Sequence, residues 1–198
     1  MAGDLLSRAP LAALHSRYDE PWRHYHVWAH VEAMLRHLAA AQADGIALAD
    51  PDAAVGFVLW HDAVYDPQAG GGRNERLSAE LCRAEMDGLA DAVSVDRAAR
   101  AIEATISHRL PDGDCPDSAI LLDIDLSILG ANATGFDGYD AAIRREYAHV
   151  AEGDYRTGRA AILRQFLARE TLYLTDWARQ RWEGRARINL ARAVDRLG

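Results

Sequence analysis

The chain has 198 residues, 49% of them hydrophobic and 26% charged, a balance that is ordinary for a soluble globular protein with a sizeable core. The formal net charge is −8, and the basic residues are scattered along the chain, which argues against a nucleic acid polymer as a partner. All 22 basic residues are arginines. The absence of lysine excludes Schiff-base chemistry and a Walker-type phosphate loop, because both need a lysine.

Two features of the chain bear on its compartment. Cys82 and Cys115 are far apart and form no C-x-x-C unit, so a disulfide framework is not expected. The N-terminus has no apolar stretch of signal-peptide length, and the chain has no apolar run of 18 residues. We therefore expect a cytoplasmic protein that does not use a membrane as a partner.

Apolar residues recur at three- and four-residue spacing along almost the whole chain, whereas period-two alternation is absent. The pattern predicts an all-α fold with helices at about 4–18, 27–43, 52–65, 75–90, 94–109, 118–129, 137–151, 157–173 and 184–197. Asp50-Pro51-Asp52 is a start signal and Asp66-Pro67 a stop signal for the third of these helices. The β-branched residues of segment 119–129 would also suit a buried strand, but no partner strand is in sight, which favours a buried helix.

Three apolar stretches are interrupted by side chains that commonly bind metals. His61-Asp62 lies inside the apolar run 55–65, His26 and His30 lie in a second stretch, and the segment Leu122–Leu126 contains two aspartates. A buried histidine and carboxylate are costly unless something compensates them, so the three interruptions indicate one shared site. A set of two histidines and two aspartates suits Mn, Fe, Ni, Zn or Mg better than a structural zinc.

Helical geometry limits how these side chains can meet. If His26 and His30 are both helical, they lie about 40° apart on one face, whereas two adjacent residues such as His61 and Asp62 lie roughly 100° apart. A helix would send the two aspartates of the Leu122–Leu126 segment, Asp123 and Asp125, to different faces. One of them could then coordinate the ion while the other holds a histidine ligand or caps a neighbouring helix.

The order of these motifs resembles the HD-domain metal-dependent phosphohydrolases. Three segments resemble the metal site of cyclic-nucleotide phosphodiesterases: Tyr25-His26-x-x-x-His30, His61-Asp62 and Ile124-Asp125-Leu126. The whole chain is similar to a small bacterial branch of predicted HD phosphohydrolases over residues 18 to 195. The segments that carry this likeness are Tyr65-Asp66, Asn74-Glu75-x-x-Ser78-Ala79, Trp182-Glu183 and the run from Ala186 to Leu190.

The resemblance implies a fold and a ligand set. It implies one HD-type helical domain over residues 1–198, with residues 1–18 and 174–198 as flanking helical segments. His30, His61, Asp62 and Asp125 would be the metal ligands, and Asp125 is preferred to Asp123 because Asp-Leu-Ser matches the phosphodiesterase segment. His26 matches the acid that protonates the leaving group, and Asp62 belongs to the catalytic centre.

One position departs from the phosphodiesterases. They have asparagine after this histidine, whereas Val27 stands here. We therefore do not extend the resemblance to cyclic-nucleotide specificity.

Three further residues are weaker candidates for contact with substrate. Arg23 precedes the His26 segment and could hold a phosphate through two hydrogen bonds, although surface arginines are common. Glu75 could contact a second ion or a water, or it could be an ordinary acidic residue in the first turn of a helix. His108 could line the pocket near the metal, or it could be a cation at the C-terminal end of a helix.

These features predict a metal-dependent phosphohydrolase that cleaves a small, nucleotide-like phosphate ester with a water activated by a divalent ion. The expected cofactor is Mn, Mg, Ni, Fe or Zn, and the expected partner is a small phosphorylated metabolite or nucleotide; a homodimer is left open. One alternative uses the same ligands: a regulatory module that binds a nucleotide or metal without turnover. The resemblance also allows a di-iron oxygenase, but the chain lacks the extra metal-ligand histidines in regular spacing that would favour it. Retention of an acid at His26 favours the hydrolase.

Overall fold

The computed structural model of the protein describes residues 4–113 and 115–198. The described chain is all-α and contains no β-strand, as predicted. The helices are α1 (Asp4–Arg8), α2 (Leu11–Tyr18), α3 (Trp28–Ala43), α4 (Pro51–Trp60), α5 (Arg73–Met86), α6 (Ala92–Ala104), α7 (Ser118–Asp125), α8 (Ala133–Glu146), α9 (Glu152–Leu167), α10 (Asp176–Ala178) and α11 (Gly184–Leu197). A 3₁₀ turn at Leu126–Gly130 follows α7, and a π-helical turn at Arg179–Glu183 precedes α11.

The contacts within the chain group it into two compact units, one that ends at Leu122 and one that runs from Asp123 to Gly198. Each unit has buried apolar side chains of its own, for example Phe57 in the first and Phe136 in the second. The organisation of all 198 residues as one HD-type domain with flanking segments stays a prediction.

The first unit is built around α4, which is almost entirely buried. The Asp50 side chain caps α4 by accepting a hydrogen bond from the Ala53 amide at 3.0 Å, and Pro51 occupies the first turn. The buried Asp50 carboxylate also accepts hydrogen bonds from Ser94 and Arg97 of α6. The predicted start of this helix is therefore confirmed. It is fixed by the cap on α4 itself and by the hydrogen bonds from α6.

The end of α4 differs from the prediction. The helix stops at Trp60, five residues before the expected end at residue 65, so His61 and Asp62 lie in the turn that follows the helix. The reason is tertiary, because side chains from elsewhere in the unit satisfy main-chain groups at and after the helix end. Tyr18 donates to the Leu59 carbonyl and Arg23 to the Asp62 carbonyl, and Ser78 accepts from the Val64 amide. His61 keeps an α-helical backbone as the C-cap of α4, whereas Asp62 lies in the turn beyond it.

Other boundaries move for local reasons. The predicted helix 4–18 is divided into α1 and α2 at Pro10, which has no amide hydrogen and disfavours helical backbone at Ala9. Segment 119–129 is helical, so the strand alternative is wrong. The helix predicted at 94–109 ends at Ala104, and the one predicted at 137–151 begins at Ala133, where Asn132 caps it through the Gly135 amide.

In the second unit, α11 packs against α9 and against the 3₁₀ turn. The buried Asn189 side chain on α11 donates hydrogen bonds to the carbonyl oxygens of Leu129 and Ala131, both at 2.9 Å. These bonds satisfy carbonyl groups that the short 3₁₀ turn leaves open. Glu183 fixes the approach to α10 in a similar way, because its carboxylate accepts from the amides of Leu172 and Tyr173.

Among the described residues, no single helix combines the length and the apolar character needed to cross a bilayer. The two helical segments Ser118–Gly130 and Ala133–Glu146 reach that threshold only together, and they are bent by 101° relative to each other.

Candidate metal centre

The structure brings together three of the four predicted metal ligands, all from the first unit. His30, His61 and Asp62 each offer one ligand atom, and these atoms lie within 4.8 Å of one another. Both histidines are buried and Asp62 is partly buried. Two distant stretches of the chain, α3 and the turn after α4, therefore converge on a group that can hold a metal ion.

The His61 ring has a defined orientation. Its Nδ1 lies 3.2 Å from the carbonyl oxygen of Val58, and because a carbonyl only accepts, Nδ1 carries the hydrogen. Its Nε2 then carries the lone pair and lies 2.9 Å from Asp62 Oδ2. A histidine that donates one ring hydrogen to a carbonyl and presents the other nitrogen is the usual arrangement of a metal ligand.

His30 lies in the first turn of α3 and contacts an aromatic neighbour. The Tyr25 hydroxyl lies 3.2 Å from His30 Nδ1, and the two rings have centroids 4.9 Å apart. The His30 and His61 rings lie 5.1 Å apart, centroid to centroid, in an edge arrangement. Since Nδ1 of His30 is engaged by the tyrosine, Nε2 is the nitrogen through which this residue would bind an ion.

The turn after α4 is clamped by side chains from neighbouring segments. Ser78 of α5 accepts from the Val64 amide and donates to the Val64 carbonyl, and Asn74 pairs in the same way with Asp66. Further bonds run from the Tyr18 hydroxyl to the Leu59 carbonyl at 3.1 Å and from the Trp22 indole to the Tyr65 carbonyl at 2.9 Å. The turn is thereby held in one conformation next to the two predicted ligands that it carries.

Arg23, predicted as a candidate for binding a substrate phosphate, has a buried side chain in the structure. Its guanidinium donates hydrogen bonds to the carbonyl oxygens of His26, Asp62 and Ala63 and to the Glu20 carboxylate. The described bonds therefore go to three main-chain carbonyls and one carboxylate of the protein itself. The predicted contact with substrate stays a prediction.

His26 lies two residues before α3 and is not helical, so it does not share a helix face with His30. Its half-buried ring stacks on Tyr65, with centroids 4.2 Å apart and an interplanar angle of 30°. Its carbonyl oxygen and that of Asp62 both lie within 3.0 Å of the same nitrogen of Arg23. The backbone of the predicted acid is thus tied to the backbone of a predicted ligand.

The two aspartates of α7 lie in the second unit and differ in their surroundings. The buried Asp123 carboxylate accepts hydrogen bonds from the amides of Leu174 and Thr175 and from the Thr175 hydroxyl, each at 2.7 Å. Burial raises the pKa of Asp123, although these three bonds act in the opposite direction. Asp123 therefore fixes the segment that precedes α10, whose N-cap is Thr175. Asp125 is half-buried at the end of α7, and its role as fourth ligand stays a prediction.

Glu75 and His108 do not belong to the group of three ligands. Glu75 lies in the first turn of α5, where an acidic side chain favours the helix dipole. His108 follows the C-terminus of α6 in a left-handed backbone conformation with φ 48°. Both positions are compatible with a purely structural role, as an acidic residue in a first helical turn and as a cation near a helix C-terminus. The contacts of Glu75 and His108 with substrate stay predictions.

His37, two turns along α3 from His30, belongs to the electrostatic surroundings of the centre. Burial lowers the pKa of His37, and the charges of Arg36 and His30 lower it further. A proton on His37 is therefore disfavoured. The His37 side chain is half-buried in α3.

The donor set fits a first-row divalent ion. Imidazole nitrogen suits Zn, Fe and Ni, and a carboxylate also suits Mn. Mg²⁺ prefers oxygen ligands, so of the predicted ions it fits two imidazoles least well.

Three residues that hold the predicted ligands in place, Tyr25, Ser78 and Asn74, were not assigned roles from the sequence. Ser78 and Asn74 stood in the segments that resemble the bacterial branch, which was the available signal.

Comparison of the chain with family models, with curated proteins and with solved structures finds no match. The function is therefore argued from the geometry of the centre itself.

Proposed function

We propose that this protein is a metal-dependent phosphohydrolase that acts on a small, nucleotide-like phosphate ester. The observation that carries the proposal is the convergence of His30, His61 and Asp62, with the His61 ring oriented by the Val58 carbonyl and the His30 ring by Tyr25. Asp125, the fourth predicted ligand, and the HD-type arrangement of the helices are parts of the same proposal.

In this proposal, different residues of the chain bind the metal and donate the proton. His30, His61 and Asp62 would hold the ion, with Asp125 as the proposed fourth ligand. When bound, a divalent ion supplies an activated water near neutral pH and offsets negative charge on the phosphoryl group. His26 holds a proton on its imidazole and gives it to the departing oxygen, a contribution of about 10²–10⁴-fold in rate. Stacking on Tyr65 limits the rotation of that ring.

A phosphate-release screen tests the activity. Purified protein is assayed against small phosphorylated metabolites and nucleotides with Mn²⁺, Co²⁺, Ni²⁺ and Mg²⁺ in turn. We expect release that depends on the metal and is abolished by a chelator. Asp62→Ala should lose both metal and hydrolysis, whereas His26→Ala should keep the metal and lose about 10²–10⁴-fold in rate.

The control variants separate the site from general damage. Glu152→Gln, an exposed residue of the second unit paired with Arg144, should behave like the wild type. If Asp62→Ala retained both metal and hydrolysis, the assignment of this centre would be wrong. A protein that binds metal and nucleotide but releases no phosphate from any substrate would support the regulatory module instead.

A second candidate follows from the donor set alone. Two histidines and one carboxylate are also the ligands of non-haem Fe(II) oxygenases. Iron in the purified protein, together with substrate-dependent consumption of oxygen, would favour that chemistry over hydrolysis.

A further inference from the structure

The side chain of Arg23 has no exposed surface, although it lies in an irregular segment between α2 and α3. A buried arginine needs partners for its guanidinium, and every described partner here is an acceptor near the candidate centre. Nη1 donates to the carbonyl oxygens of His26 at 3.0 Å and Asp62 at 2.7 Å, Nη2 donates to Ala63 at 3.2 Å, and Nε donates to Glu20 at 2.9 Å.

These bonds join two stretches of chain that are distant in sequence, since Arg23 and Asp62 are 39 residues apart. One carries His26, and the other carries Asp62. A single guanidinium nitrogen reaches both carbonyl oxygens, so a shift of either stretch would lengthen a hydrogen bond made by a charged donor.

Aromatic rings fix the position of the guanidinium. Its central carbon lies 5.1 Å from the ring centroid of Tyr18 and 5.3 Å from that of Tyr65. Both distances are within the range of cation–π attraction. Tyr65 also stacks on the His26 ring. Arg23 therefore contacts the backbone of His26 directly, and it contacts the ring that stacks on His26.

We infer that Arg23 is a positioning residue that holds Asp62 and His26 in register for the proposed metal centre. The inference rests on the proposed function, since it assigns Arg23 a part in that same site. With the Asp62 carbonyl held at 2.7 Å, the carboxylate of that residue is directed to its place 2.9 Å from His61 Nε2. Only a planar group with several fixed N–H directions can satisfy acceptors on three sides, so lysine does not replace it.

The test is a titration with Co²⁺ alone, because the absorption spectrum of bound Co²⁺ reports its coordination geometry. Arg23→Lys and Arg23→Met are compared with the wild type after circular dichroism has shown that each is folded. We expect a folded Arg23 variant to bind Co²⁺ roughly 10–100-fold more weakly and with an altered spectrum, as for other groups that orient metal ligands. A residue that only stabilised the fold would lower the free energy of unfolding without changing the spectrum.

The matched control is Arg83→Lys, which alters an arginine of α5 that pairs with Glu103 at 2.9 Å. This variant should bind Co²⁺ like the wild type. If neither Arg23 variant folds, Glu20→Ala tests the inference instead, because it removes only the carboxylate that accepts the hydrogen bond from Arg23 Nε. Glu20→Ala should weaken Co²⁺ binding on the order of threefold to tenfold, whereas its control Glu103→Ala should not.

The outcomes separate the inference from the proposed function. A wild-type protein that binds no Co²⁺ would overturn the proposed function and, with it, the site that Arg23 serves. If the wild type binds Co²⁺ and a folded Arg23 variant binds it with the same affinity and spectrum, the inference alone is wrong. The same holds if Glu20→Ala, in the absence of a folded Arg23 variant, matches Glu103→Ala.

Discussion

At the scale of single residues, the Tyr25 hydroxyl lies 3.2 Å from Nδ1 of His30 and helps to orient its ring. Tyr25→Phe removes the hydroxyl and keeps the ring that packs on His30. We expect the affinity for Co²⁺ to fall about tenfold, because groups that orient a histidine ligand contribute at that level. Calorimetric titration measures the change. Tyr147→Phe in the second unit serves as the control, and an affinity equal to the wild type in Tyr25→Phe would refute the role of the hydroxyl.

Alanine variants of the two aspartates of α7 should differ in effect, one on stability and the other on metal affinity. Asp123→Ala leaves the Leu174 amide and both the amide and hydroxyl of Thr175 without their acceptor. We expect the free energy of unfolding to fall by about 2–3 kcal/mol, measured by urea denaturation of the metal-free protein. Asp125→Ala should instead weaken metal binding. The reverse pattern, with Asp123→Ala losing metal and Asp125→Ala losing stability, would exchange the two roles.

The sequence was sufficient to predict three residues that the structure groups together, but not the residues that orient them. His30, His61 and Asp62 were recognisable because each interrupts an apolar stretch, and the structure brings them together. The role of Arg23 was not recognisable, since an arginine beside a histidine segment is read by default as exposed. Its burial depends on three carbonyl groups that only the folded chain places around it.

At the scale of elements, the start and end of α4 show where local signals work and where they do not. Asp50 and Pro51 fix the start through neighbours in sequence, so the pattern predicts it correctly. The end at Trp60 depends on Tyr18 and Arg23, which are about 40 residues away in sequence, and the local signal at Pro67 pointed too far. A helix end made by tertiary hydrogen bonds leaves no local trace.

The 3₁₀ turn after α7 approaches its neighbour closely at Gly130. A Cβ atom added there would collide with Cα and Cβ of Trp182, which are not free to move as the end of a flexible side chain would be. We expect Gly130→Ala to lower the free energy of unfolding by about 1–3 kcal/mol through overpacking. Gly138→Ala on α8, where nothing lies within 4 Å of the added atom, should instead raise it by roughly 0.5–1 kcal/mol. Urea denaturation of both variants checks the contrast, and a Gly130→Ala protein as stable as the wild type would contradict it.

Helix α5 carries a cysteine that reports on the packing of the first unit. Burial raises the pKa of the Cys82 thiol to about 12, so the folded protein keeps it protonated where the unfolded chain, with an ordinary value near 9, begins to ionise. Stability is therefore lost as the pH rises above 9. At pH 8.5 we expect iodoacetamide to modify half-buried Cys115 at least about tenfold faster than Cys82, measured by mass spectrometry. If iodoacetamide modified Cys82 and Cys115 at equal rates both in the native protein and in urea, Cys82 would not be protected by the fold.

At the scale of the whole molecule, a net charge of −8 favours the approach of divalent cations. An ion that binds only the folded state must stabilise it, by about 2.7 kcal/mol when its concentration is 100 times the dissociation constant. We expect Co²⁺ to raise the free energy of unfolding of the wild type by this amount and that of His61→Ala by far less. Equal stabilisation of the two proteins would place the bound ion elsewhere.

The most direct measurement is the metal content of the protein after equilibrium dialysis against Mn²⁺, Co²⁺, Ni²⁺ or Zn²⁺, determined by plasma mass spectrometry. The wild type should retain at least one ion per chain, and His30→Ala, His61→Ala and Asp62→Ala should each retain far less while remaining folded. A folded wild-type protein that retains no divalent ion, or three variants that retain as much as the wild type, would contradict the metal centre.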